Sequence, residues 1–368
     1  MKAPWRWAVC VALVAAFVAV PFVVRALPAG SPGPGDTTAA QLLERMRSSW
    51  SNPYAGYAET TGSIALPASD QLDSVATLLG SRTQIRVWWR SAKDWRADTL
   101  SQFGETSTRT TDAAVSVWDY EDNRVVVTPA QLPGTVRLPQ DRDTVPPQLA
   151  ERMLSETSAG EVSGLPARRV AGRDADGLRM QPSESLSSIG HVDVWADRAS
   201  GIPVLVEVFG RSGDVAAMSS TFLDFTAAAP SDQELAFTPP PGARVRNGQR
   251  FDLARQLSRS GGVPLPGQLL GFTRSTPIPG FTGVGEYGRG VTQIVVGQLP
   301  GDQAASLRQQ LSVAVGAQKI PEGVAVSVGP VGLLLTSDLA NGRAWLVTGT
   351  LTTDGLVRAA AELTGQAT

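Results

Sequence analysis

Gly283-Val-Gly285-Glu-Tyr-Gly288 matches the dinucleotide fingerprint letter for letter. The fingerprint works only where a strand leads into it and a helix opens from it, so that the helix N-terminus receives the pyrophosphate. Here a Pro/Gly-rich loop precedes it and a strand pattern, Thr292 to Val296, follows. The spacing therefore predicts a tight β-turn. His191 is the only histidine. A His-based triad would have to use it, and no Gly-x-Ser-x-Gly elbow accompanies it. A zinc site needs several His or Cys ligands; the chain has one of each. Acid pairs occur at Asp174/Asp176, Asp141/Asp143 and Asp193/Asp197. Such pairs can hydrolyse glycosides, but these lie in or beside turn signals, where Asp is common. No Gly-x-x-x-x-Gly-Lys phosphate cradle is present. These residues predict no enzyme, no metal and no cofactor.

The stretch that organises the rest is aromatic. Gln84 to Val127 holds four of the nine tryptophans: Trp88, Trp89, Trp95 and Trp118. Side chains alternate along a strand, so Ile85, Val87 and Trp89 share one face and Arg86, Trp88 and Arg90 the other. Tryptophan on both faces predicts that neither is plainly solvent. A sheet with core on one side and a helix on the other, or a sheet wrapped around a cavity, accounts for that. Two helix patterns lie nearby. Ala39 to Ser49 is apolar at Leu42, Leu43 and Met46, with Asp36 or Thr37 placed to cap it. Asp70 to Leu79 is apolar at Leu72, Val75, Leu78 and Leu79. Leu78, Leu79, Trp88, Trp89, Trp95 and Trp118 are thus the candidate lining of an apolar site. Each tryptophan alone also reads as ordinary core.

The 368 residues suggest two domains after a targeting segment. At 42% hydrophobic and 18% charged, the chain can bury a core. Nearly all the basic residues are Arg, the mark of a high-GC bacterial genome rather than of a function. Trp7 to Val24 is an apolar run broken only by Pro21, with Lys2 and Arg6 before it and Arg25 after. It is just long enough to span a bilayer, and its basic start favours a cytoplasmic N-terminus. A cleaved signal peptide is the alternative. Both place the rest of the chain outside the cytoplasm. Cys10, the only cysteine, lies inside this run, so the exported part has no disulfide. Setting aside Lys2, Arg6 and Arg25 leaves 29 basic residues against 34 acidic. A mildly acidic body is unsuited to nucleic acid.

The expected organisation is an anchor or signal at residues 1–28, a linker at 29–38, a main domain at 39–246 and a small α+β domain at 250–368. Phe237-Thr-Pro-Pro-Pro-Gly242 marks the boundary. Helices are expected at Pro146 to Ser155, Gln303 to Leu311 and Asp354 to Leu363, the last with Asp354 as its cap. Strands are expected at Tyr54 to Leu66, Val115 to Tyr120, Val125 to Thr128, Ile189 to Ala196, Ile202 to Phe209 and Met218 to Phe225. In the small domain they are expected at Thr292 to Val296, Val324 to Val328, Val331 to Thr336 and Ala344 to Thr350.

Several phrases resemble the periplasmic lipoprotein-carrier (LolA-like) superfamily, and within it the MucB/RseB-like sigma-E regulatory group. They are Leu42-Leu43 before Tyr54-Ala-Gly-Tyr57, Val87-Trp-Trp-Arg-Ser91 with Trp95-Arg-Ala-Asp98, and Val117-Trp-Asp-Tyr120. Leu165-Pro-Ala-Arg-Arg-Val170, Val192-Asp-Val-Trp195 with Gly201-Ile-Pro203, and the triple-proline phrase complete the set. The resemblance runs from about Ala39 to Arg246. It implies an α+β fold in which a curved antiparallel sheet forms a half-open barrel, closed by helices, over a cavity for acyl chains. It implies a non-catalytic binding protein for lipid, a lipoprotein acyl chain or another apolar ligand; the N-terminal apolar run, in which the chain departs from the soluble carrier, adds that it is membrane-tethered. The alternative it implies is a sensor that binds a membrane anti-sigma factor.

Overall fold

The computed structural model describes residues 37–62, 80–101, 104–130, 141–248, 264–275, 283–314 and 316–365. The apolar run Trp7 to Val24, the linker up to residue 36, the helix pattern Asp70 to Leu79, and with it Leu78 and Leu79, lie outside the described residues. Among the described residues no helix is long and apolar enough to cross a membrane.

The first described helix is α1 (Ala39–Ser49), whose Leu42, Leu43 and Met46 are buried. Its cap is Thr38, not Asp36 or Thr37: Gln41 N–H donates to the Thr38 hydroxyl, and the Thr38 N–H donates to the Gln41 side-chain oxygen. Strands β1 (Tyr54–Gly62), β2 (Arg82–Ser91), β3 (Asp94–Ser101), β4 (Gly104–Thr110), β5 (Ala114–Asp119) and β6 (Arg124–Pro129) follow as an antiparallel meander. Helix α2 (Pro146–Leu154) starts on two prolines, where a missing N–H leaves nothing unsatisfied. A second meander comprises β7 (Val162–Val170), β8 (Arg173–Met180), β9 (Ile189–Asp197), β10 (Pro203–Gly210) and β11 (Ala216–Thr226). Strand β11 pairs with β1 and joins the two meanders into one sheet of twelve strands. At that seam Gly56 lies beneath Phe222; a Cβ there would come within 2.7 Å of the Phe222 ring and of the Asp224 carbonyl oxygen.

The order is β12-β6-β5-β4-β3-β2-β1-β11-β10-β9-β8-β7. Strands β7 and β12 are the two edges and do not pair with each other, so the sheet does not close into a barrel. Its inner face carries Leu178, Met180, Val192, Val194, Val206, Val208 and Met218, packed against α1 and α2. Farther along, Tyr54, Ala58, Ile85, Val87, Trp89, Trp95 and Ala97 continue the core.

After β11 the chain becomes a strap across the outer face. It passes through the single turn α3 (Asp232–Leu235) and ends as β12 (Arg244–Asn247), which pairs parallel to β6. Arg90 donates to the Pro230 carbonyl at 2.7 Å, and Arg96 to the Ala236 carbonyl at 2.9 Å. Phe237 packs on Trp118, their ring centroids 6.4 Å apart.

The C-terminal unit pairs the two-residue strands β13 (Gln268–Leu269) and β14 (Phe272–Thr273), then builds a six-stranded sheet. Its order is β15-β16-β20-β19-β18-β17, from β15 (Val284–Arg289), β16 (Thr292–Pro300), β17 (Gln318–Ile320), β18 (Gly323–Val328), β19 (Val331–Thr336) and β20 (Arg343–Gly349). Helix α4 (Gly301–Ser312) buries Ala304 and Leu311 with Val324, Val326 and Leu335 on one face. Helix α5 (Thr353–Gly365) buries Leu356, Ala360 and Leu363 with Ala325, Leu334 and Trp345 on the other. Asp354 does not cap α5. Gly355 N–H donates to the Thr352 hydroxyl, and Asp354 pairs with Arg358 one turn on.

Candidate functional site

The twelve-stranded sheet places the four tryptophans of the aromatic stretch on two faces. Residues directly opposite one another on paired strands share a face. Trp89 faces Tyr54 and Trp95, and all three point inward. Their rings stack at 6.2 Å and 6.3 Å, and Arg142 caps the stack 4.7 Å above Trp95. Trp88 points outward beneath the Arg96 guanidinium, 5.2 Å away. Trp118 shares that outer face, against Tyr120 and Phe237. The strap therefore supplies the second covering that tryptophan on both faces required. Trp89 and Trp95 sit in the inner core, and Trp88 and Trp118 under the strap.

Residues singled out for chemistry have structural occupations. The glycine fingerprint is strand β15, followed by a turn at Gly290 and strand β16, with no helix at its end. His191 lies on the outer face, stacked on Phe209 at 4.3 Å. Burial pulls its pKa down, Arg179 adds to that, and Asp193 opposes it. Asp193 receives two bonds of 2.7 Å from Arg179, and Asp176 receives one of 2.7 Å from Arg198. Asp197 accepts from the Ser200 backbone and hydroxyl at the β9–β10 turn. Among the described residues no group of three or more His, Cys, Asp or Glu is placed to hold a metal.

A cleft of about 1030 Å³ lies elsewhere, where the C-terminal unit meets the main sheet. One wall is α2 and the turn before it, with Arg142, Asp143, Gln148, Glu151, Arg152, Ser155 and Glu156. The β2–β3 turn and Trp50 and Trp89 form its aromatic side. The facing wall is the β15–β16 hairpin, through Glu286, Gly290 and Gln293. Burial raises the pKa of Glu151, against the nearby charge of Arg142. Trp89 is only 5% exposed, and its indole N–H has no partner among the described residues. The Gln148 amide accepts the Tyr54 hydroxyl through its oxygen, while its nitrogen is buried without a partner among the described residues.

The hairpin is fixed by a charged latch. Arg289 donates to Glu161 twice at 3.1 Å, to Glu184 at 3.1 Å and to the Glu156 carbonyl at 3.0 Å. The Gly290 N–H donates to the Glu156 carboxylate at 2.7 Å. Four further donations from Ser158 and Ser183 converge on Glu161 and, with Arg289, hold its carboxyl well below the usual range despite burial. Backbone bonds from Ser188 to Thr350 and from Thr352 to Leu186 join the units beside the latch.

The sequence reading did not find this cleft. Its signal was the polar stripe Gln148, Glu151, Arg152 and Ser155, spaced as one face of α2. A polar stripe alone says only that the face is not core; what stands opposite is set by the docking of the second unit.

No family model matches the chain, and no curated protein matches it. Solved structures are similar to it. MucB in complex with MucA(peri) is 16% identical over 88% of this chain and 97% of that one, with a TM-score of 0.47. The Pseudomonas aeruginosa MucA/MucB complex is 18% identical over 88% and 96%, with a TM-score of 0.48. A LolA superfamily protein from Nitrosomonas europaea is 10% identical over 55% and 98%, with a TM-score of 0.24. These are the two groups whose phrases the sequence resembles.

Proposed function

We propose that this chain is an exported, non-catalytic binding protein whose cleft between the main sheet and the C-terminal unit holds an extended segment of a protein partner. The cleft carries this reading. Its volume lies at the upper end for small-molecule sites, and its lining is mixed aromatic and charged rather than dry and apolar. Unpartnered donors at Trp89 and Gln148 suit backbone carbonyls. The partner class is the one the sequence resemblance implies, a membrane anti-sigma factor. Affinity isolation of the tagged full chain from its own membranes should recover a single-pass membrane protein. Replacing Glu156 with Arg, which blocks the cleft, should abolish that recovery. Equal recovery with the blocked variant would refute the reading.

A second reading, an apolar ligand such as an acyl chain, is favoured by a different observation. On the inner face of β4–β6, Val115, Val117 and Val126 are half-buried and belong to none of the packed core clusters. A buried chain contributes roughly 0.8 kcal/mol per CH₂, so this trough needs no polar motif. Saturable binding of an environment-sensitive fatty-acid probe, weakened by Val117→Asp, is the expected result; no binding to delipidated protein would exclude it.

Both readings place residues 27–368 outside the cytoplasm, on the membrane if the N-terminal run is retained. A reporter fused after Thr368 should be active only in its exported form.

A further inference from the structure

The charged groups of the cleft are not all engaged. Glu156 accepts from Gly290, and Asp143 lies 3.6 Å from Arg142, whose guanidinium also covers Trp95. Glu151 on α2 and Glu286 on β15 border the same cleft from its two walls, and neither side chain makes a hydrogen bond or ion pair among the described residues. Glu151 is half-buried, and a partly desolvated carboxylate gains most from an incoming countercharge. Arg152 is exposed on the rim. Beside these carboxylates are buried donors without partners among the described residues: Trp50 Nε1, Trp89 Nε1 and Gln148 Nε2.

The combination is selective. Unengaged carboxylates on both walls reject anionic ligands and nucleic acid. Two carboxylates without a third ligand are a poor divalent-metal cage. Donors for carbonyl oxygens next to acceptors for a cation are the complement of a peptide with a basic side chain.

We propose that the cleft selects a polypeptide segment bearing an Arg or Lys, whose charged head is received between Glu151 and Glu286 while Trp89 and Gln148 donate to the adjoining backbone. This rests on the cleft being a polypeptide site. It adds that the cation, not the backbone alone, sets specificity. Burial raises the Glu151 carboxyl above its ordinary value, and the nearby charge of Arg142 offsets this only in part.

The test uses the full-length chain and three fluorescein-labelled decapeptides, alike except for a central Arg, norleucine or Glu. In anisotropy titrations the Arg peptide should bind about tenfold tighter than the norleucine peptide, the scale of one charge-assisted contact. Glu151→Gln and Glu286→Gln should each remove most of that advantage. Glu286→Arg should turn the preference toward the Glu peptide. Matched thermal unfolding of the variants verifies folding, and Glu286→Lys serves if Glu286→Arg is unstable. If the three peptides bind equally, the cation proposal fails and the polypeptide cleft stands. If none binds, both fail. If magnesium or calcium alone binds and Glu151→Gln abolishes it, the carboxylates form a metal site and the proposal is overturned.

Discussion

At Gly288, φ is +135°, and a Cβ there would come within 2.1 Å of the Thr292 carbonyl oxygen. The glycine is required by the β15–β16 pairing, not by a nucleotide. Gly288→Ala should therefore destabilise the protein by more than about 2 kcal/mol, measured by denaturant unfolding. Millimolar NAD should leave the wild-type Tm unmoved, since a ligand that does not bind the native state cannot raise it. Glu161 makes the opposite kind of contribution. Its folded pKa is depressed, so its stabilisation is fully present above the ordinary carboxylate value, about 4.3, and is lost as the pH falls below it. Stability measured from pH 6 down to pH 3 should fall more steeply in the wild type than in Glu161→Gln.

Among the elements, the strap from β11 to β12 settles the aromatic stretch. Arg96 holds it at the Ala236 carbonyl while binding Asp98 through two contacts of 3.0 and 2.8 Å. Asp98 is buried, with Ser107 as its further donor at 2.5 Å. Arg96→Ala leaves that carboxylate buried without its cation and should cost about 3 kcal/mol. It should also speed hydrogen exchange at β6, whose edge β12 protects. Arg86→Ala, an exposed position on the same face, should change stability by less than about 0.5 kcal/mol. Equal losses in the two variants would show that the strap is not anchored there.

At the scale of the molecule, two sheets meet through backbone pairing beside Ser187 and through the Arg289 latch. Arg289→Ala removes the shared cation and leaves Glu161 and Glu184 facing each other. It should cost about 2 to 3 kcal/mol and separate one unfolding transition into two, read by differential scanning calorimetry. The boundary expected near the triple proline can be tested by limited proteolysis. Arg244 and Arg246 belong to the paired strand β12, so tryptic cleavage at either should be slow until that pairing opens.

Local sequence determined the elements. Leu42, Leu43 and Met46 at helical spacing marked α1, and Asp197 to Gly201 marked the β9–β10 turn, where Gly201 has φ +75°. These are short-range effects of periodicity and backbone sterics, written in consecutive residues. Caps were placed a residue or two away, at Thr38 and Thr352, because neighbouring Asp, Thr and Ser compete for the same N–H groups. Tryptophan on both faces of β2 showed that each face is covered, but not by what. The strap that covers Trp88 and Trp118 comes from more than a hundred residues downstream. The cleft followed the same pattern. Glu151 and Glu286 are far apart in the chain, each an ordinary polar residue on its own element. Only the docking of the C-terminal unit, through Arg289, makes them the two walls of one site, because side chains from separate elements share a cavity only when packing between those elements brings them together.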